Sequence, residues 1–423
     1  MALSDVVGHE HAIEVLSHAI GTRRLAKAYL FVGPPNVGKT LVAKEVAKAV
    51  NCESPVEGEG EALEACDSCH TCQRIEQENH PDLMVLRPSV RVEVKERDED
   101  VRAAAADEGG EETGQAAVQV RAGSRDVYVE LNDALIYIDQ IRHLIQHGAA
   151  QRSGAARKFY IICSAEAMND EAENALLKTL EEPPPHTTFI LTTANLPELR
   201  ETTVSRCQVV RFQPLSHGKL RKVLAERFPE AEPERIAAVA AMAGGRYGRA
   251  QRLMDAPDLV ELREELLELA AATATADLAE CLYLGERVMA LPERWWEATQ
   301  ASEESVGVRS ETERTLRKRA LDQLGTQSPD RINRIQMSEM LDLLQTWYRD
   351  LMLLSRSSDS KLVINADRLA QLRELAPQYS PAGLVWASEV IEDVRRDLSV
   401  HNANFRLACQ TLMVKLIAAG RRQ

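Results

Sequence analysis

Four short runs in the first half of the chain are apolar at nearly every position: Tyr29-Leu-Phe-Val32, Leu83-Met-Val-Leu86, Phe159-Tyr-Ile-Ile162 and Thr188-Phe-Ile-Leu191. Stretches with apolar residues at helical spacing separate them, at Leu41–Val50, Ile138–Gln146 and Glu171–Glu182. Strands that are apolar on both faces and joined by helical crossovers predict a buried parallel sheet. Pro183-Pro-Pro185 ends the third helix, because proline lacks the amide donor and restricts the residue before it. After about Pro214 the pattern is helical throughout, at Ala237–Ala243, Leu259–Ala271, Ile335–Leu354 and Asn404–Ile417. In the last of these, Phe405, Leu407, Ala408, Leu412, Met413 and Leu416 lie mostly three or four apart. An α/β front and an all-α rear are expected, and Trp295-Trp296 in the rear is expected to serve packing.

Two stretches break the pattern. Residues 91–113 hold nine acidic and four basic residues, no aromatic and no helical apolar stripe. The region 88–128 is therefore expected to be an insertion, largely disordered or at most a flexible hairpin. Residues 301–330 are polar, with Gly and Ser, and read as a long connection.

The 423 residues suggest about three domains, each able to bury a core. A net charge of −14 argues against a chain that coats DNA by bulk charge, though a local basic face remains compatible with it. Aromatic residues make up only 4%, so a surface that stacks on successive unpaired bases is a poor reading. No run of eighteen apolar residues and no signal-peptide pattern occurs, so a cytoplasmic protein without membrane contact is expected. Four of the eight cysteines fall between positions 52 and 72, which reads as a metal site in a reducing compartment.

Gly33, Pro34, Pro35, Asn36, Val37, Gly38, Lys39 and Thr40 match the Gly-x4-Gly-Lys-Ser/Thr loop in full, between a strand run and a helix. Backbone amides of such a loop wrap phosphates, and the helix N-terminus adds positive potential. Lys39 would neutralise the outer phosphates of ATP and Thr40 would ligate Mg²⁺; a chance helix-start turn is the bland alternative. Hydrolysis also needs a metal-holding Asp at the end of a second strand, usually followed by a Glu. Phe159–Ile162 ends instead in Cys163-Ser164, and Glu166 is expected to point elsewhere. Cys52, Cys66, Cys69 and Cys72 offer four thiolates for a structural Zn²⁺, with unligated cysteines in a polar loop as the alternative. His70 is a weaker ligand candidate than any of the four.

Together these stretches resemble the bacterial DNA polymerase III clamp-loader subunits of the AAA+ superfamily. The resemblance is carried by Arg24-Leu-Ala-Lys-Ala-Tyr-Leu-Phe-Val-Gly33, the four-cysteine insertion, Ile138-Asp-Gln-Ile-Arg142, Asn174-Ala-Leu-Leu-Lys-Thr-Leu-Glu-Glu-Pro183 and Ser205-Arg206-Cys207. It runs over about 1–86 and 129–255, is general beyond that, and leaves the acidic stretch and 301–330 without counterpart. It implies an α/β P-loop (AAA+) domain with a parallel sheet and small zinc module over 1–213. A helical lid over 214–256 and an all-α collar over 257–423 would follow.

Cys163-Ser164 stand where motor subunits of the gamma or tau type carry Asp-Glu, which favours the delta-prime type. Gly245-Arg-Tyr-Gly-Arg-Ala250 and Asn402-Ala-Asn-Phe-Arg-Leu-Ala408 resemble that type too, and Arg249 lies one residue from the motor subunits' sensor position. The intact phosphate loop is a departure, since many delta-prime subunits have a broken one. The resemblance implies a hetero-pentameric ring with gamma/tau and delta subunits that loads a sliding clamp onto primed DNA in the replisome. Arg206 would act as an arginine finger toward a neighbour's ATP, with nucleotide bound but not hydrolysed here; a gamma/tau-type ATPase is the alternative. No polymerase carboxylate pair is visible, so any polymerase activity would belong to the holoenzyme.

Overall fold

The computed structural model describes the chain except residues 1–2, 4–5, 58–62, 94–117, 121–125, 131–133, 150–154, 278–279, 307–315, 317–318, 321–328, 358–359, 400–402 and 422–423. It divides into two compact units, one of 1–214 with 309–324, the other of 215–308 with 325–423.

The first unit is built on a parallel sheet of β1 (Ala28–Val32), β4 (Leu83–Leu86), β8 (Lys158–Ile162), β9 (Thr187–Thr193) and β10 (Gln208–Arg211), in the order β10-β1-β9-β8-β4. β1, β8 and β9 are buried along their whole length. Because successive side chains alternate faces, the same strands feed two cores. Tyr29, Phe31, Phe159, Ile161 and Ile190 pack with α1 (Glu10–Gly21) and α2 (Lys39–Asn51). Leu30, Tyr160, Ile162, Phe189 and Leu191 pack with α4 (Ile138–Ala149) and α5 (Asp170–Glu181) on the other face. The cysteine segment inserts between α2 and β4 as β2 (Val56–Glu57), β3 (Leu63–Glu64) and α3 (His70–Glu76).

The 88–128 region departs from expectation. β5 (Ser89–Glu93), β6 (Val118–Val120) and β7 (Asp126–Glu130) form a three-stranded antiparallel sheet in the order β5-β7-β6. The remainder of the expected insertion, 94–117 and 121–125, lies outside the described residues. The reason for the strands is burial: Val90, Val92 and Val129 share an apolar cluster with Leu316 and Ala320, from far along the chain.

After the short α6 (Glu201–Val204) and β10, the second unit is helical. It contains α7 (His217–Arg227), α8 (Pro233–Ala243), α9 (Tyr247–Met254), α10 (Pro257–Ala272), α11 (Glu280–Val306), α12 (Pro329–Arg356), α13 (Leu369–Leu375), α14 (Pro381–Ser399) and α15 (Phe405–Arg421). One core cluster runs through it from Leu220 to Ala419. Trp295 is buried in that core. The expected 301–330 connection is shorter than its sequence indicated, since α11 extends through Val306 and α12 starts at Pro329. Among the described residues no helix is long and apolar enough to cross a membrane.

Ile161 is 0% exposed on β8, between β9 and β4. Ile161→Ala should therefore lower stability by about 2–5 kcal/mol, read as a shifted midpoint in urea unfolding at unchanged slope.

Candidate nucleotide and metal site

The phosphate-loop residues sit beyond the carboxyl ends of β1, β8 and β9, where ligands of open α/β sheets bind. Gly33 N–H donates to Thr193 O at 3.1 Å, fastening the loop to the end of β9. A Cβ on Gly33 would collide with the Phe212 carbonyl, so a side chain cannot be added there. Gly38, at φ +103°, takes a left-handed conformation at the N-cap of α2 that suits glycine. His9, passed over in the sequence, contacts Val37 O through Nε2 at 2.8 Å and packs against Phe212. No local pattern announces it, because its partner lies 28 residues on.

Lys39 folds back over its own loop, donating to Gly33 O at 2.5 Å and Pro34 O at 2.8 Å. Burial lowers its pKa to about 8, and the nearby Glu166 carboxylate pulls the other way. Thr40 Oγ1 lies 3.5 Å from Cys163 Sγ, so the thiol at the end of β8 occupies the place next to the Mg²⁺-ligating hydroxyl position. Burial pushes the Cys163 pKa up, which keeps it a neutral thiol and a poor ligand for a hard cation. Ser164 follows at φ +52° and donates its N–H to Thr192 Oγ1. Glu166 accepts from Ala194 N–H at 3.0 Å, beside β9.

Arg206 stands just past α6. It donates to Thr202 O at 2.7 Å and pairs with Glu181, the last residue of α5. This loop is set by a buried carboxylate: Glu173 accepts from Thr203 Oγ1 at 2.6 Å and from Arg200 N–H at 3.2 Å. Arg200 in turn reaches Asp170 and Asn174. In the helical unit, Arg249 is paired with Glu339 at 3.0 Å.

At the other end of α2, the sulfurs of Cys52, Cys66, Cys69 and Cys72 all lie within 4.8 Å of one another. A tetrahedral Zn²⁺ with bonds of about 2.3 Å sets sulfurs roughly 3.8 Å apart, so the four fit that ion. Cys66 N–H donates to Cys52 Sγ, Cys69 N–H to Cys66 Sγ and Cys72 N–H to Cys69 Sγ, at 3.3–3.4 Å, as suits thiolate ligands. When bound, the ion would supply structural cross-linking of the module. His70 is exposed and outside the cluster.

An ion cluster centred on the buried Lys48 joins this module to α2. Lys48 Nζ lies 2.8 Å from Glu45, 2.7 Å from Asp67 in the cysteine loop and 2.9 Å from Glu76 at the end of α3. Lys44 reaches Glu76 and Glu78, Glu78 meets Arg87 at 2.6 Å, and Arg87 meets Glu130. Sequence gave no signal for this cluster, since Lys44 and Lys48 look like the solvated face of an ordinary helix. Burial raises the Glu45 pKa to about 7, against the opposing pull of Lys48.

A raised acid binds its proton more tightly in the folded chain. The stabilisation present below the unfolded value should therefore be lost as pH rises through about 7, an effect of up to roughly 3 kcal/mol. Glu45→Gln should flatten that slope in urea unfolding across pH 4.5–7.5; an unchanged slope would assign the pH dependence elsewhere. Metal analysis should find one zinc per chain. Cys69→Ser should lose it and make residues 52–76 the first site of proteolysis.

With this geometry in view, similarity to known proteins becomes specific. Residues 8–216 match the family model described as DNA polymerase III, delta subunit. The chain is 28% identical to DNA polymerase III subunit tau of Bacillus subtilis over 295 residues, which are 69% of this chain and 43% of that one. It is 30% identical to the delta' subunit of the same organism over 215 residues, 51% of this chain and 50% of that one. The chain thus spans half or less of the length of these relatives. A gamma subunit-related protein of Thermotoga maritima aligns in structure over 96% of this chain and 99% of its own, at 14% identity and a TM-score of 0.36. Over residues 8–216, the chain is thus similar to DNA polymerase III subunits of the tau and delta' types alike, which supports a clamp-loader relative of the AAA+ kind.

Proposed function

We propose that the chain is a delta-prime-type subunit of the DNA polymerase III clamp loader, one that binds ATP without hydrolysing it. The observation that carries this reading is Cys163, whose sulfur sits 3.5 Å from Thr40 Oγ1 where a motor subunit needs a metal-holding carboxylate. The loop keeps the lysine, the hydroxyl and the helix N-terminus that hold phosphates, so binding and turnover separate. The helical unit supplies the collar through which it joins gamma/tau and delta subunits. The assembly then loads the sliding clamp on primed DNA in the cytoplasm.

Arg206 serves the neighbouring nucleotide. A permanent planar cation placed against a γ-phosphate stabilises the charge that develops there. Its pairing with Glu181 is partly solvent-exposed, and such pairs contribute about 0–1 kcal/mol, so release toward a neighbour costs little.

A gamma/tau-type ATPase is the second reading. The complete phosphate loop and the Glu166 carboxylate close enough to act on Lys39 favour it. Turnover assays distinguish the two: the isolated chain should bind ATP with no measurable hydrolysis, and Lys39→Ala should abolish binding. Hydrolysis by the isolated chain, lost in Lys39→Ala, would establish the motor reading instead. In a reconstituted complex, Arg206→Ala should lower DNA-stimulated ATPase by about 10³-fold. An unchanged rate would remove the finger role.

A further inference from the structure

The turn that carries Arg206 cannot set its own shape. α6 has four residues, too few for a helix to persist alone, and its N-cap residue, Arg200, makes no side-chain cap bond. A single oxygen from α5 holds it instead. Glu173 Oε1 accepts the Arg200 N–H at 3.2 Å and the Thr203 hydroxyl at 2.6 Å, so both ends of 200–203 hang on one atom. The carboxylate's other oxygen lies 3.4 Å from Arg200 Nε.

Burial singles this contact out. Glu173 is 5% exposed and Thr203 0%, while the neighbouring inward positions of α5 include Ala172, Leu176 and Leu180. An apolar side chain at 173 would serve packing as well, since a buried charge is weak evidence for stability. What the carboxylate does that an apolar group cannot is accept two hydrogen bonds from the turn.

Arg206 takes its place from that turn. Its N–H donates to Thr203 O at 3.3 Å and its Nη1 to Thr202 O at 2.7 Å, so carbonyls of α6 hold both its main chain and its guanidinium. Ser205 N–H and Cys207 N–H also donate into α6, to Glu201 O and Val204 O. The two anchors differ in kind. The Arg206–Glu181 pair is solvent-exposed and can open toward a neighbour, whereas the Glu173–Thr203 bond is buried and stays closed when it does.

We infer, on the arginine-finger reading proposed above, that Glu173 and Thr203 are positioning residues for the action of Arg206 in trans. Both are buried, so they act through Arg206 and not on nucleotide. The reacting geometry makes this matter, because a displacement of about 1 Å can slow a reaction about 10²-fold.

The test is DNA-stimulated ATPase of a reconstituted complex containing the full chain, with kcat and KM read separately. Glu173→Ala and Thr203→Val should each lower kcat by about 10–100-fold with KM for ATP unchanged. Added to Arg206→Ala, neither should slow the complex further, because residues that act as a unit are not additive. Glu173→Gln and Thr203→Ser, which keep the accepting oxygen and the hydroxyl, should stay close to the wild-type rate. Wild-type kcat in Glu173→Ala and Thr203→Val, a rise in KM with kcat kept, or losses that multiply with that of Arg206→Ala would overturn the assignment. An unchanged rate in Arg206→Ala removes the finger and its positioning together. A slowed Arg206→Ala beside wild-type rates in Glu173→Ala and Thr203→Val removes the positioning alone. Should Glu173→Ala fail to enter the complex, Thr203→Val, which exchanges one hydroxyl for a methyl, decides by the same criteria.

Discussion

The buried ammonium of Lys48 is the interaction on which the first unit's functional end depends. It sits on α2, the helix that begins at the phosphate loop and is followed directly by Cys52. Its carboxylate partners come from α2 itself, from the cysteine loop and from α3. Burying the Lys48 ammonium beside the Glu45 carboxylate is costly unless each finds a partner, so the cluster tolerates few arrangements. That constraint fixes the cysteine module against the helix that presents Lys39 and Thr40. Lys44, Glu78 and Arg87 continue the same chain of charges toward Glu130.

The opposite end of α2 shows a different economy of charge. Phosphates would meet Lys39, the amides of the loop and the helix N-terminus, all electropositive. What is missing is a carboxylate to hold a metal against Thr40, and Cys163 cannot replace it while burial keeps the thiol protonated. The charged group that does lie close is Glu166, one turn past the strand and committed to Ala194 N–H. In the proposed reading, binding and turnover would rest on separate parts of the sheet edge: the first on the β1–α2 junction, the second on the end of β8.

What could be read from sequence follows from how local each signal was. The phosphate loop, the four cysteines and strands β1, β4, β8 and β9 each announce themselves within a few residues, by spacing or by unbroken apolar runs. β10 escaped because Gln208 and Arg211 leave only Val209-Val210 as an apolar mark on an edge strand. The β5-β7-β6 sheet escaped because the acidic stretch between β5 and β6 dominates the region's composition and hides the alternating valines of the strands, and the side chains that cover it come from the far side of α11. His9 and Lys48 escaped for a related reason: Val37, Asp67 and Glu76 are distant from them in sequence, while Glu45, paired with Lys48 one turn on, looks like half of an ordinary pair on a solvated helix face. Arg206 was legible only through its neighbours Ser205 and Cys207, whereas the Glu173 carboxylate that shapes its loop was not.

The covering of β5 and β7 by Leu316 and Ala320 also imposes an order on synthesis. At roughly 5–20 residues per second, the ribosome makes Leu316 about 10–40 s after it finishes β7. Throughout that interval the P-loop sheet can assemble, while Val90, Val92 and Val129 wait without their cover. In sequence, the dense negative charge of 91–113 follows directly on Val90, and like-charged nascent chains repel one another. The acidity that makes this stretch look unstructured therefore gives it a use before the chain is complete, as a guard on an unfinished core.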